Sequence, residues 1–540
     1  MKKVLAILLA VVMLAAIAAC GSDDATPAAP GAPTGAPATP TPPPGVLGPG
    51  DTIAAPEGPD VQFADSIDVL VDMNIVVVDP LNPGAGTVAS RLVQMVIFDR
   101  LVIRTADGEY IPELATSWET TDWQTITFNL RDDVVFHNGD RFTAQHVVDT
   151  ANAAKSAPGS LAFDSWRSVD TITAVNDTTV RMVLGAVNVD FLWFLALPGA
   201  SIINRAAAAA DAVNGVMVGT GAFYVSNFVS GDFTQVTRND DYWGEAPLTR
   251  ELTFRFIPEI AARTVMIMNN ESQVCTSISP EDLHLFVNDS DYVVYRIVSN
   301  SAHALGFNML DPITGDINFR KAVAHALERA DVAVVAAGDW AIADNGGTFW
   351  GDTTEFRNND IPLLPFDLDL ARQYLAASTY NGEEIEIYTG VPTFHRSAEM
   401  IQEQLLRIGI NLVLHQTDAP TLQSLAVYGS DTVQIVHHPL PFNMSAASAR
   451  TMLGPGGSAN RSTYDNPAVT QLLDLAPTIA DRDARGQIYR QIQALVAEDL
   501  TYVNVFFRVH AIVTHGNIGG IVVNPDQNHD YRGIFMTLDN

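Results

Sequence analysis

The sequence predicts a mixed α/β protein with more than one lobe. Helix and strand signals alternate after residue 61, and no repeat of about 20 to 50 residues is evident. The roughly 480 residues that follow residue 60 are too many for a single ordinary hydrophobic core, and they are enough for two or three lobes. Hydrophobic residues make up 47% of the chain, which is typical of a globular protein.

The first twenty residues have the pattern of a secretory signal peptide. Lys2 and Lys3 precede an apolar run, residues 4–19, which ends in small residues before Cys20. A membrane-spanning helix is the alternative, but such a helix needs about 20 apolar residues. The run here is shorter, and the next residues are Gly-Ser-Asp-Asp rather than a basic segment. We therefore expect residues 1–20 to be a signal peptide and the protein to be exported.

The residues around Cys20 indicate a lipid anchor. The segment Ile17-Ala18-Ala19-Cys20 resembles the lipobox of bacterial lipoproteins, in which the cysteine is acylated. Lipidation of Cys20 is expected to hold the protein on the extracytoplasmic side of the cell membrane. Residues 21–60 are rich in Ala, Pro, Gly and Thr and carry almost no large apolar side chains, so we expect a disordered tether.

Strand and turn signals are clearest in the first half of the folded part. Residues 125–130 and 251–257 alternate apolar and polar side chains with period two, which predicts two strands. Asn138-Gly139 has the composition of a tight turn, and Thr143 is a candidate N-cap for the helix that follows it.

The second half contains a helix, a glycine stop and a strand in succession. Apolar residues at helical spacing predict a helix around residues 400–408, Gly409 can end it, and residues 410–414 continue as a strand. A later helix is predicted over residues 482–498 with Asp481 as its cap, and an apolar strand follows it. These units complete the α/β prediction.

Charge and motif content favour binding of a small solute over other functions. The formal net charge is -32, and nucleic-acid binding needs a positively charged surface, so nucleic acid is not an expected partner. The sequence contains no G-x-S-x-G, H-E-x-x-H, Walker A, paired C-x-x-C or EF-hand motif. We therefore expect no catalytic residues and no cofactor.

Three residues have side chains that could carry further chemistry. Cys275 is the only cysteine besides Cys20, and we expect it to be a buried small hydrophobe without a disulfide. His437 and His438 are adjacent, and imidazoles are common metal ligands. Neighbouring residues on a strand face opposite sides, so both could hold one ion only from a loop. A structural role is therefore favoured over a metal site.

Many short segments, taken in order, resemble the family 5 extracellular solute-binding proteins, which are the peptide, oligosaccharide and nickel-chelate receptors of ABC importers. The similarity covers roughly residues 65–520, and the order of the segments is more specific than any one of them. They are VDPL (78–81), DGEYIPELATSWE (107–119), FNLR (128–131), VFHNGD (135–140), FTA (142–144), VGTGAF (218–223), RNDDYWG (238–244), FN (307–308), FRKAV (319–323), IGI (408–410) and YDNP (464–467).

The resemblance implies a two-lobed fold of the type II periplasmic-binding-protein kind, with a hinge and a ligand cleft between the lobes. Residues 61–304 plus 508–540 would form lobe I, and residues 305–507 would form lobe II, with the chain crossing near 303–308 and 503–508. The implied partners are a peptide-like or saccharide-like small solute and the permease complex of an ABC importer in the membrane. The protein is expected to be a monomer.

One segment departs from the family pattern. Peptide-binding members usually carry an acidic D-x-P-like segment late in lobe II, whose carboxylate pairs with the amino terminus of the peptide, whereas residues 437–443 read HHPLPFN. An unpaired ammonium group is costly to bury, so ordinary peptides with free amino termini are less favoured ligands. A nickel-type metal chelate is an alternative cargo, which rests on His437 and His438. A surface-anchored hydrolase is the less favoured alternative from another class.

The candidate ligand contacts combine this segment with positions that face the cleft in relatives. Aromatic side chains are prominent among them because they can stack on sugars or cover apolar groups. The candidates are Asp79, Phe163, Trp166, Trp340, Phe349, Trp350, His437, His438, Phe442 and Asn443.

Overall fold

The computed structural model describes residues 46–48, 51–56, 61–105, 108–344, 350–351, 354–390, 392–426, 429–440, 448–457 and 459–538. Cys20 with the predicted signal peptide, and the candidate contacts Phe349, Phe442 and Asn443, lie outside these residues. Within the described ranges, no helix is long and apolar enough to cross a bilayer.

Strands and helices alternate along the chain, as the sequence predicts. The strands are β1 (Val46–Leu47), β2 (Ser66–Val71), β3 (Val102–Arg104), β4 (Tyr110–Pro112), β5 (Ala115–Thr120), β6 (Thr125–Leu130), β7 (Val169–Asn176), β8 (Thr179–Leu184), β9 (Phe223–Val229), β10 (Phe233–Arg238), β11 (Glu251–Phe256), β12 (Val274–Cys275), β13 (Tyr292–Phe307), β14 (Ala341–Ala343), β15 (Glu384–Thr389), β16 (Asn411–Gln416), β17 (Ile435–Pro439), β18 (Tyr502–His515), β19 (Ile518–Gly519) and β20 (Phe535–Met536). The helices are α1 (Val88–Ile97), α2 (Ala144–Lys155), α3 (Leu161–Trp166), α4 (Phe191–Leu195), α5 (Arg205–Ala210), α6 (Ile260–Met268), α7 (Ile317–Ala326), α8 (Arg329–Ala337), α9 (Leu368–Ala376), α10 (Pro392–Leu406), α11 (Ala419–Leu425), α12 (Ala449–Leu453), α13 (Pro467–Leu475) and α14 (Arg482–Asp499).

The predicted strands and caps are confirmed where the local signal is strong. Strand β6 has the predicted bounds, and β11 ends one residue before the prediction. Thr143 forms a capping box with His146 at the start of α2, and Asp481 accepts a hydrogen bond from the backbone of Ala484 at the start of α14. Gly409 adopts a positive φ of 93° between α10 and β16, which glycine adopts without strain.

Most strands join one mixed sheet. Its order is β16-β15-β17-β13-β18-β12-β2-β11-β10-β9, with β1 paired to β13 and β14 paired to β18. A separate antiparallel sheet has the order β5-β6-β8-β7. Parallel pairs such as β2 with β11 and β15 with β16 are connected through helices, as crossover connections require.

The two longest strands, β13 and β18, run antiparallel through the middle of the main sheet. Residues 292–298 pair with 509–515, and residues 302–306 pair with 502–507, with a register irregularity between Val298 and Ala302. On one side of this irregularity β18 pairs with β12, and on the other side β13 pairs with β17. The two strands therefore continue from one group of strands into another.

The hydrophobic core is divided at the same point. One set of clusters has buried members only from segments up to residue 297 and from residue 511 onward, and we call it the first core region. The other set has buried members only from residues 302–507, and we call it the second core region. Separate apolar cores joined by two strands are the structure expected of two lobes.

The described residues of the predicted tether, 46–48 and 51–56, include segments that bond to the fold. Strand β1 pairs in parallel with Val294 and Tyr295 of β13, and Leu47 packs against the first core region. The backbone N–H of Gly520 donates to the carbonyl oxygen of Ile53 at 2.9 Å. Residues 46–48 and 51–56 therefore belong to the folded domain, because backbone hydrogen bonds and apolar contacts hold them there.

Candidate functional site

A cavity lies beside the point where β13 and β18 pass from one core region to the other. Its volume is about 150 Å³. Pockets that enclose a whole drug-sized ligand usually measure about 300–1,000 Å³, so this cavity has room for a small solute or for one end of a larger one. Its lining includes the polar residues Asp72, Thr276, Arg508, His510, Gln527 and His529 and the apolar residues Met73, Leu92, Ile278 and Leu283.

Two oppositely charged side chains face this cavity from different strands. Asp72 directly follows β2, and Arg508 lies in β18; both side chains are half-buried. Burial lowers the pKa of Arg508, and the charge of Asp72 partly opposes that shift. Within the part of the chain that the structure describes, neither side chain makes a hydrogen bond or an ion pair. The cavity therefore presents one cation and one anion that have no direct partner.

The histidines of the cavity add hydrogen-bonding groups rather than charge. Burial lowers the pKa of His510 to about 3 and that of His529 to about 4, so both imidazoles are neutral at neutral pH. Gln527 Nε2 donates to His510 Nε2 at 2.6 Å, and the backbone N–H of Asn524 donates to His529 Nδ1 at 3.1 Å. These contacts fix both rings against the cavity wall.

A second group of aromatic side chains packs around His303 of β13 and Phe506 of β18, with Phe394 from α10 and His437 from β17. The ring of His303 is centred 4.6 Å from Phe394 and 4.5 Å from Phe506, and Phe394 is 5.6 Å from His437. Burial lowers the pKa of His437 to about 4 and holds the pKa of His303 well below its usual range. Neutral imidazoles packed against phenyl rings are typical of a structural cluster.

His437 and His438 do not converge on one point. Both lie in β17, where His437 is opposite Leu305 and His438 is opposite Ala304 of β13. His437 faces Phe394, whereas His438 faces Tyr502 at 6.4 Å on the other side of the sheet. Among the described residues, no group of three or more His, Cys, Asp and Glu side chains is arranged to hold a metal ion.

The two core regions also contact each other away from the cavity. Asp190, at the start of α4, accepts a hydrogen bond from the hydroxyl of Tyr489 at 2.9 Å and lies 3.4 Å from Nε of Arg485, and both partners belong to α14. The backbone N–H of Val189 donates to the carbonyl oxygen of Pro477 at 2.8 Å. Burial raises the pKa of Asp190, and the positive charge of Arg485 opposes that shift.

Comparison with known proteins decides the family. The model of the bacterial extracellular solute-binding proteins, family 5, matches residues 109–452, which is more than half of the chain. The chain belongs to this family.

Relatives of known function and structure extend over most of the chain. The nickel-binding periplasmic protein of Escherichia coli is 24% identical over 478 residues, which cover 83% of this chain and 90% of that protein. The dipeptide-binding protein of the same organism is also 24% identical, over 81% of this chain and 88% of that protein. The structure of NikA from Brucella suis in complex with Fe(III)-EDTA matches with a TM-score of 0.77 and 22% identity, over 87% of this chain and 99% of that chain. The predicted two-lobed type II periplasmic-binding-protein fold is confirmed.

Two predicted contacts of this family 5 protein, Asp79 and Phe163, lie near one loop of the N-terminal half. Asp79 is half-buried in the loop after β2, where its carboxylate accepts a hydrogen bond from the backbone N–H of Leu81 at 3.0 Å. Burial raises the pKa of Asp79, which indicates a partly desolvated carboxyl group. Phe163 is half-buried in α3, and this helix meets the same loop through a hydrogen bond from Ala162 to Pro80.

The predicted tryptophans are placed differently from one another. Trp166 is fully buried in the first core region and Trp350 is 1% exposed in the second, so both pack the interior. The prediction that Trp166 or Trp350 contacts the ligand stays untested, and the burial of both side chains does not favour it. Trp340 is half-buried and packs against the first core region although its neighbours in sequence pack in the second. The next residue, Ala341, pairs with Arg508, so Trp340 lies beside the junction.

Arg508, Asp72 and His510 were not predicted as contacts of this solute-binding protein. Charged and polar residues at alternate positions in the otherwise apolar strand β18 were the available signal for Arg508 and His510, because such residues are seldom buried without a reason. Asp72 directly follows a buried strand, which is a weaker signal. Only the fold brings these three residues together in one cavity.

Proposed function

We propose that the protein captures a small organic solute between its two lobes and delivers it to the permease of an ABC importer. Membership of family 5 supports capture of a solute. The observation that carries the proposal is the cavity on the lobe I side of the strands that join the two core regions. Among the described residues, Arg508 and Asp72 of its lining make no hydrogen bond or ion pair. A buried cleft with a few placed polar groups is the usual form of a small-molecule site.

The strand pairing and the core regions support the lobe boundaries predicted from sequence. Lobe I would contain residues 61–304 and 508–540, and lobe II would contain residues 305–507. The change of partners at residues 298–302 of β13 and 507–509 of β18 lies within a few residues of those bounds, which supports the proposed crossings. Among the described strands, only β13 and β18 continue through the main sheet at this point, so a bend there would open or close the cleft as a hinge.

A peptide-like or saccharide-like solute is the proposed cargo, with a metal chelate as the second candidate. The matches to a dipeptide-binding and a nickel-binding periplasmic protein favour these two classes. His437 and His438 give no support to direct binding of a bare ion, since their rings lie on opposite faces of the sheet. A chelate would instead be bound through its organic ligand.

The proposed location is the extracytoplasmic face of the cell membrane. Relatives with which the chain aligns over most of its length are periplasmic proteins. We propose that Cys20 carries the lipid, that the segment before Val46 is the tether, and that the protein acts as a monomer. We further propose that it binds its cargo without chemical change.

Capture is tested by thermal unfolding of protein that lacks residues 1–20. A bound solute stabilises the folded state by mass action, by about 2.7 kcal/mol at a concentration 100 times its Kd. We expect at least one member of a library of peptides, oligosaccharides and metal chelates to raise the melting temperature, and to be recovered chemically intact after long incubation. No shift with any member would contradict capture, and a chemically altered solute would indicate a hydrolase.

A further inference from the structure

The two unpaired charges of the cavity define the class of solute that it can accept. Asp72 and Arg508 act on each other electrostatically, but their side chains form neither an ion pair nor a hydrogen bond in the described structure. Both residues line the same cavity. A solute that enters this space meets a carboxylate on one side and a guanidinium group on the other.

Each simpler class of solute leaves one of these charges without a partner. A neutral sugar in this cavity would desolvate both groups and would compensate neither, which is costly for buried charges. A phosphate or dicarboxylate would suit Arg508 and would be repelled by Asp72. A cation would suit Asp72 and would be repelled by Arg508. His510 and His529 are neutral and do not alter this balance of charge.

We propose that the cavity binds the zwitterionic head of an α-amino acid, either free or at the end of a larger solute. The carboxylate would accept two hydrogen bonds from the guanidinium group of Arg508, and the ammonium group would donate to the carboxylate of Asp72. The solute would thereby complete a pair of charges that the protein holds apart. This inference rests on the proposed function of solute capture and narrows its cargo.

The size and the remaining lining of the cavity agree with such a head group. A volume of about 150 Å³ is small for a whole oligosaccharide or a long peptide and suits one amino-acid unit. Met73, Leu92 and Leu283 provide an apolar wall on which the hydrocarbon part of the solute can pack.

The carboxylate for the ammonium group would come from Asp72 and not from the late segment of lobe II. Residues 437–443 contain no acid, so they offer no carboxylate to an ammonium group. Asp72 supplies that carboxylate from the opposite lobe, beside the hinge. A solute with a free amino group is therefore compatible with this chain although the family's usual acidic segment is absent.

The test measures binding to the full chain, purified in mild detergent, by calorimetry and thermal unfolding. The probes are the free amino acids and their γ-glutamyl conjugates, each compared with its N-acetyl form and its carboxamide, which remove the ammonium or the carboxylate. We expect at least one unblocked compound to bind and both blocked forms to bind at least about tenfold more weakly, because each loses a charge-assisted hydrogen bond.

Variants assign the binding to the two charges. Arg508→Gln and Asp72→Asn should each weaken binding of the unblocked compound at least about tenfold, without loss of folding, because neither side chain has a partner in the described structure. Arg181→Gln and Asp232→Asn, which change exposed residues elsewhere, are the matched controls. Equal binding of blocked and unblocked forms, or unchanged binding by both cavity variants, would overturn the proposal.

The same experiment distinguishes failure of the zwitterion proposal from failure of the proposed solute capture. If a neutral oligosaccharide or a metal chelate stabilises the wild-type chain and the Arg508→Gln variant equally, solute capture stands and the zwitterion proposal is overturned. If no compound of the wider library stabilises the wild-type chain, both proposals are overturned.

Discussion

Cys275 lies in β12 between β2 and β18, and its side chain is fully buried. The Sγ atom donates to the carbonyl oxygen of Ser277 at 3.4 Å, and burial raises the pKa of the thiol to about 11. The thiolate is the reactive form, so the native protein should react with a thiol reagent only slowly at pH 8. We expect chain lacking residues 1–20 to be labelled rapidly only after unfolding in guanidinium. Rapid labelling of one thiol in the native state would contradict this prediction.

Asp99 is a buried carboxylate that collects hydrogen-bond donors from distant segments. It accepts from the hydroxyl of Thr220 at 3.0 Å and from the indole N–H of Trp243 at 2.9 Å, and Arg532 lies 3.6 Å away. Burial, followed by the negative charge of Glu113, raises its pKa to about 6. The family resemblance marks Trp243 by sequence, and the structure shows that it supports the fold through this bond.

Replacement of Asp99 by Asn should destabilise the protein. Thr220 and Trp243 both donate to Oδ2, which an amide oxygen can replace. The NH₂ group would then take the position of Oδ1, where it would face Nη1 of Arg532 and remove the negative charge that this guanidinium group meets. We expect the free energy of unfolding to fall by about 2–4 kcal/mol. Urea unfolding provides the measurement, and the exposed change Asp232→Asn is the control. A loss below about 0.5 kcal/mol would mean that the network tolerates the amide.

Strand β17 holds His437 in a buried environment where its imidazole is uncharged. His437 is fully buried, and neither ring nitrogen has a hydrogen-bond partner in the described structure. Burial lowers its pKa from 6.5 to about 4. The unfolded chain therefore binds a proton as the pH falls below about 6.5, whereas the folded chain does not, so the stability that is present above pH 6.5 is lost towards pH 4.

Replacement of His437 by Phe should remove this part of the pH dependence. The phenyl ring suits a site already packed against Phe394, so we expect equal or greater stability at pH 7. Between pH 6.5 and 4 the variant should lose up to about 3 kcal/mol less than the wild type, since each pKa unit corresponds to about 1.36 kcal/mol. Urea unfolding across this pH range checks the effect, with the exposed residue change His284→Gln as control. Parallel curves for wild type and His437→Phe would contradict it.

Local signals predicted the elements well because they depend on nearby residues. Asp481 caps α14 and Gly409 ends the unit before β16, as the sequence indicates. Periodicity predicted an apolar strand after α14 but not its full length, because the part of β18 beyond residue 509 continues only where β12 and β13 pair with it. The contacts of residues 46–47 and of Ile53 were missed for the same reason: β13 and Gly520, which follows β19, supply their partners.

At the scale of the whole molecule, the site depends on contacts that no local pattern contains. Asp72 and Arg508 are far apart in the sequence and meet because β2 and β18 both pair with β12. Trp166 and Trp350 were predicted as contacts from positions that face the cleft in relatives, and each packs in an apolar core, Trp166 in the first core region and Trp350 in the second. The sequence therefore supplied candidate contact residues, whereas the strand order determines which residues line the cavity.

The contact between Asp190 and α14 should set how readily the lobes separate. Tyr489 and Arg485 both bind this carboxylate across the two core regions, in a partly desolvated setting. Other charged pairs between the regions, such as Arg396 with Glu281 at 3.5 Å, are exposed and contribute less. The apparent affinity for a solute that binds the closed form falls when the closed form is less populated. Because the Asp190 contact stabilises the closed form, its loss should weaken binding.

We expect Asp190→Ala to weaken solute binding about tenfold or more, because a hydrogen bond to a charged group contributes about 1.5–3 kcal/mol and each 1.4 kcal/mol corresponds to a factor of ten. The ligand-free variant should also have a larger radius of gyration in small-angle X-ray scattering. Tyr489→Phe keeps the ring that stacks on Phe356 and should have a smaller effect in the same direction. Arg372→Gln, which removes an exposed pair within the second core region, should have none. Unchanged affinity and unchanged radius in Asp190→Ala would show that the hinge strands alone determine closure.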